Sequence, residues 1–195
     1  MFRKLKFIVK WYFRRKYQVN IHTMSKWAKS IIKEYDFDPR TVIEFADRCK
    51  IGEDVIWKRG NGKQLMSGRV YGTTGVILKN TNKVVVKFFL GEFISYYREL
   101  FGDDWKSAMG GRIFYEFFER KIIEEFMKRK IRKTIAHEYR HSVQQWYLID
   151  HGFDLVKVIE QENEQSYGEG ILEKDAIRFS EKGVDIPMEV VFRNM

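Results

Sequence analysis

A chain of 195 residues is long enough for one well-packed domain with extra elements and too short to favour two. Its 44% hydrophobic and 16% aromatic content excludes a disordered chain, and its single cysteine, Cys49, excludes an intramolecular disulfide and a cysteine-based zinc knuckle. The formal net charge of +9 makes nucleic acid or an anionic membrane surface candidate partners, but no recognisable nucleic-acid module accompanies it, so a solvated basic surface is the plainer reading.

In residues 2–17, Phe2, Leu5, Ile8, Val9, Tyr12 and Phe13 fall at near-helical spacing, which predicts an amphipathic helix that docks on the core or on a membrane surface. Arg3, Lys4, Lys6, Lys10 and Arg14 interrupt its apolar runs, leaving no signal-peptide core or membrane span, so a cytoplasmic protein is expected. Two more helices are predicted over 23–34, capped by Thr23, and over 39–49, with Pro39 in its first turn. Residues 1–53 thus read as a helical N-terminal extension to a domain over 54–195, the two forming one compact unit.

From Asp54 the pattern changes to strands: Val55 to Trp57, Val70-Tyr71, Gly75 to Leu78 and Val84 to Phe89. Asn80-Thr81-Asn82 reads as a hairpin turn, so a small, mostly antiparallel sheet is expected. A long helix then runs from about Ile113 to Ile149 and stops at His151-Gly152. The sequence leaves one helix or two open, but the basic run Lys128 to Lys133 would suit a helix N-terminus poorly, which favours continuity or a mild kink. Residues 154–168 read as a polar linker or frayed helix, 171–182 as a final helix, and 184–192, with Pro187, as an edge strand or extended segment rather than helix.

The chemistry concentrates in His137-Glu138-Tyr139-Arg140-His141. Histidines four apart on a helix share a face, about 6 Å apart along the axis, so both rings can reach one zinc ion. Glu138 is then placed to act as general base toward the metal's water. A chance match in a chain with four histidines falls under about one in a hundred, against which stands the bland reading of two coincidental surface histidines.

A catalytic zinc needs a third protein ligand and one open position. The metzincin extension is excluded, because Gln144 and Tyr147 stand where it requires glycine and histidine. His151 lies too near the helix end to fold back and reads as a capping or surface residue. Glu173 is the best candidate: it borders the apolar stripe of Leu172, Ala176 and Phe179, and the small Ala176 would let its helix approach the histidine helix closely. Glu169 is the runner-up, while Glu160, Glu162 and Glu164 read as solvated.

The pattern His-Glu-x-Arg-His-x-x-Gln over His137 to Gln144, followed by Glu-x-Asp-Ala-x-x-Phe over Glu173 to Phe179, resembles the gluzincin metallopeptidases, in particular the small single-domain minigluzincins and their uncharacterised relatives. The resemblance extends over about residues 54–182, with specificity only in the two motifs. It implies an α+β, zincin-like fold, with the sheet packed on the histidine helix and a C-terminal glutamate helix. It further implies a Zn2+ site of His137, His141 and Glu173, Glu138 as catalytic residue, and a peptide or protein substrate. A strand bordering the cleft would bind substrate backbone, and Val84 to Phe89 is the candidate. Arg140 and Asp175 match the pattern without a metal role, and a contact between them joining the two helices is expected. Larger gluzincins add a His or Tyr that stabilises the oxyanion; here His22 lies far upstream and Tyr167 is only suggestively placed, so the sequence assigns that role to no residue. The alternative class is a non-proteolytic zincin-fold metal-binding module held to nucleic acid or membrane by its basic surface. Residues 184–195 are also expected to lie across the cleft as a latent strand.

Overall fold

The computed structural model describes residues 21–46, 72–76, 83–101, 113–165 and 169–193. The expected helix over 2–17, the strands at 55–57 and 70–71, the turn at 80–82, Cys49 and Tyr167 lie outside them.

Helix α1 (Ile21–Ile32) buries Met24, Ala28 and Ile31, one apolar stripe at helical spacing. It already contains Thr23, which is therefore not its cap. The second expected helix is instead a strand, β1 (Val42–Ala46), followed in the chain by β2 (Gly72–Val76) and β3 (Val84–Phe89). Val42, Ile43 and Phe45 suit a pleated surface, and pairing with β3 outweighs the helical reading. The sheet order is β1-β3-β2, with β1 parallel and β2 antiparallel to β3. The sheet is thus mixed rather than mostly antiparallel, because the parallel partner comes from the segment read as helix. Glu44 stands opposite Lys87 and pairs with it at 3.2 Å. The central strand β3 buries Val84, Val85, Val86, Phe88 and Phe89, as a strand covered on both faces should.

After α2 (Leu90–Phe101), the chain enters α3 (Ile113–Asp150), one unbroken helix of 38 residues, about 57 Å long. It ends where expected: Gly152 takes φ +70°, and Phe153 N donates to Leu148 O, a left-handed stop that glycine adopts without strain. Two cores share this helix. Met127, Ile131 and Ile135 pack with α1, α2 and the sheet residues Val86 and Phe88, whereas Leu148 packs with Val158, Leu172, Met188 and Phe192. Residues 137–144 occupy the stretch between the two.

The polar segment after α3 is a helix, α4 (Leu155–Glu164). Asp154 accepts the Lys157 N–H as its cap, and Val158 is buried. Helix α5 (Ile171–Lys182) matches its expected bounds and ends at Gly183 with φ +64°. The last segment is extended only to Pro187; α6 (Met188–Val191) follows, because Met188 and Phe192 are both buried in the second core. Among the described residues the tail is therefore not a strand. No helix among the described residues is long and apolar enough to cross a membrane.

Candidate metal centre

Helix α3 turns His137 and His141 toward α5, and Glu173 meets them from α5's first turn. His137 Nε2 and His141 Nε2 lie 3.1 Å apart, His141 Nε2 is 3.1 Å from Glu173 Oε2, and His137 Nε2 is 3.4 Å from Glu173 Oε1. Donors around a tetrahedral ion with bonds near 2.0–2.1 Å stand about 3.3 Å from one another, so the three edges match such a cage. Two imidazole nitrogens and one carboxylate are also the donor set zinc takes. The side chains keep 16–18% exposure, which leaves a side open to solvent. Among the described residues this is the group of histidines and carboxylates close enough to share an ion. Glu160, Glu164 and Glu169 are exposed outside it, and so is His22 on α1. His151 is an exposed helix-end residue, with Nδ1 2.8 Å from Tyr147 O and its ring stacked on Tyr147.

Close approach of the two helices depends on side chains of very different kinds. Ala176 is fully buried and presents only a methyl group at the interface. Arg140 donates through Nε to Asp175 Oδ2 at 2.6 Å and through Nη2 to Asp175 Oδ1 at 3.1 Å, so the contact expected from the motif is present. The same guanidinium reaches Asp185 Oδ1 at 2.7 Å and the carbonyl of Ile186, tying the tail to α3. The N-terminus of α5 lacks a side-chain cap of its own at Gly170. Glu162 supplies one from α4: its Oε1 accepts from Ile171 N at 2.8 Å and Leu172 N at 3.2 Å. A Cβ at residue 170 would stand 1.9 Å from Glu162 Oε2, so glycine there keeps room for the carboxylate. Glu162 is thus a helix cap rather than a solvated charge.

Glu138 is only 6% exposed. Thr74 of β2 donates its hydroxyl to Glu138 Oε2 at 2.8 Å, and a Cβ at Gly72 would lie 2.8 Å from Glu138 Cγ and 3.1 Å from its Oε1. The edge strand therefore makes a notch for this carboxylate. Burial pushes the Glu138 carboxyl up to about 7, against the pull of His141 and the Thr74 hydrogen bond. Burial, then the neighbouring His141, takes His137 down to about 4. For His141 burial acts in the same downward direction, but the hydrogen bond to Glu173 and the charges of Glu138 and Glu173 outweigh it, so its pKa is raised. Gln144, wholly buried, sets Oε1 2.8 Å from His141 Nδ1 and points Nε2 at Leu172 O and Asp175 Oδ2.

Two residues at this site, Gly72 and Thr74, escaped the sequence reading, and a third, Glu162, was read as solvated. The only sequence signal for the first two was the small, polar run Gly-Thr-Thr-Gly at 72–75. The candidate substrate strand also changes. Strand β3 is paired on both sides, so it has no free edge, whereas β2 has no second partner among the described residues and runs beside Glu138. The basic run 128–133 is largely engaged within the fold: Lys128 pairs with Glu124, Arg132 with Glu34 and Lys133 with Glu181, while Lys130 lies over Tyr96. Compared with known proteins, the chain matches no protein-family model, no curated protein and no solved structure.

Proposed function

We propose that this chain is a zincin-like metallopeptidase of the gluzincin type, with His137, His141 and Glu173 holding zinc and Glu138 serving as the catalytic residue. The observation that carries the reading is convergence: three zinc-type donors within 4.8 Å of one another, with a buried glutamate next to one of them in sequence. Zinc, when bound, would polarise a scissile carbonyl and let water lose its proton near neutral pH.

The chain's own residues supply the rest. Glu138 takes the proton from water and later delivers it to the leaving amine nitrogen, and its burial, which disfavours the charged form, makes it a stronger base than an exposed carboxylate. Thr74 and Gly72 hold that carboxylate in place. The edge of β2 that has no partner among the described residues is suited to bind a peptide as an added strand, main chain to main chain, beside Glu138. A purely structural metal would need no buried base in a fitted notch, and the ion pairs of the 128–133 run weigh against a nucleic-acid or membrane module.

Metal analysis and a peptidase assay on three proteins test the proposal. Wild type should bind one zinc and hydrolyse peptides, Glu173→Ala should lose zinc while folded, and Glu138→Gln should keep zinc and lose hydrolysis. A wild-type protein that folds but takes up no zinc would overturn it.

A further inference from the structure

Gln144 is 0% exposed, a position where an amide is costly unless each of its polar atoms is matched. Its Nε2 carries two hydrogens, directed at Leu172 O at 2.9 Å and Asp175 Oδ2 at 2.7 Å. Both neighbours are acceptors, so the amide cannot be turned over without setting its oxygen against two oxygens. Oε1 therefore faces His141 Nδ1 at 2.8 Å, and a carbonyl oxygen can only accept. Nδ1 must carry a proton, which leaves Nε2, the nitrogen beside His137 and Glu173, as the one free to ligate.

The acceptor that orients Gln144 is itself fixed. Asp175 Oδ2 also receives Arg140 Nε at 2.6 Å, and Arg140 and Asp175 are each 3% exposed. The sequence of contacts is Arg140 to Asp175, Asp175 to Gln144, Gln144 to His141. Leu172 and Asp175 flank Glu173 in the chain, so one network sets both the face that His141 presents and the placement of the helix that brings the carboxylate.

We propose that Gln144 is a positioning residue of the metal centre: its amide, oriented by Leu172 and Asp175, holds His141 as the Nδ1-protonated tautomer and so presents Nε2 to the metal. This rests on the reading of His137, His141 and Glu173 as metal ligands. Partners that orient a ligating imidazole in this way are generally worth about 10- to 100-fold in metal affinity.

Two substitutions separate positioning from packing. Gln144→Met removes both donated amide hydrogens, and Gln144→Glu, whose second oxygen faces Leu172 O and Asp175 Oδ2, keeps only the one its protonated carboxyl donates, so each loses stability in the metal-free protein. Only Gln144→Met also removes the acceptor facing His141 Nδ1. Zinc affinity, measured by competition with a chromogenic chelator on protein verified as folded, should fall about 10- to 100-fold in Gln144→Met and stay close to wild type in Gln144→Glu. Equal affinity in wild type and Gln144→Met, or equal losses in the two variants, would overturn the positioning role while leaving the zinc site standing. A wild type that binds no zinc overturns both. Proton–nitrogen correlation spectra of zinc-loaded wild type read the tautomer directly, even where a variant fails to fold. A proton on His141 Nδ1 with the metal on Nε2 is the expected result, and the reverse assignment refutes the proposal.

Discussion

Truncating Asp175 to alanine would strip Arg140 of its buried carboxylate while leaving the guanidinium where it is, 4% exposed at the side chain. Two charge-assisted hydrogen bonds, at 2.6 and 3.1 Å, disappear together. Removing one partner of a buried pair costs about 3–5 kcal/mol, and the solvent-screened Asp185 and the Ile186 carbonyl that stay on the guanidinium put the expected loss at the lower end of that range. That is a large share of the roughly 5–15 kcal/mol by which a domain is stable. Asp185 offers an internal control, because it binds the same guanidinium at 2.7 Å but is itself 74% exposed. Solvent screens that pair, so Asp185→Ala should cost under about 1 kcal/mol. Exchanging both buried partners, as Arg140→Met with Asp175→Leu, should cost less than the sum of the single changes, since no lone charge remains. Urea unfolding of these variants beside wild type measures each value. Losses in Asp175→Ala and Asp185→Ala within about 1 kcal/mol of each other would show that burial does not govern the strength of this contact, and the reasoning would fail.

The notch beside Glu138 predicts that Gly72→Ala, whose added carbon would stand 2.8 Å from Glu138 Cγ, displaces the carboxylate. Peptide hydrolysis should drop by up to about 100-fold with zinc content unchanged, and full activity would argue that the notch is loose. Gly170→Ala should push Glu162 off the α5 N-terminus and cost about 1 kcal/mol in urea unfolding; unchanged stability would mean that the cap contributes nothing. Ending the chain after Gly183 withdraws Met188 and Phe192 from the second core and should destabilise the fold by about 3–6 kcal/mol. A truncated protein that unfolds like wild type yet hydrolyses peptides faster would instead mark the tail as an inhibitory segment.

What the sequence alone determined is the part of this protein written in helical periodicity. The four-residue spacing of His137 and His141, the bounds of the long helix and of the last one, and the small Ala176 beside Glu173 follow from 3.6 residues per turn and, for the long helix, from Gly152 as its stop. The Arg140–Asp175 contact was legible because the two motifs, once placed on facing helices, bring those residues opposite each other.

Only the tertiary structure decided the rest. Residues 42–46 carry a pattern that either a short helix or a strand can satisfy, and the pairing of Val42 to Ala46 with Val85 to Phe89 chose the strand. That choice made the sheet mixed, put β3 in its centre and left β2 at the edge beside Glu138. The supports of the site were equally out of reach. Thr74, which looks ordinary in its own stretch of sequence, meets Glu138 across 64 residues, and Gln144 and Asp175, although each stands in one of the two motifs, carry no local sign that they meet across 31. Local patterning fixes which face of a helix carries the chemistry. Which groups then hold a buried carboxylate or fix a ring tautomer depends on contacts between distant segments, and those exist only once the chain has folded.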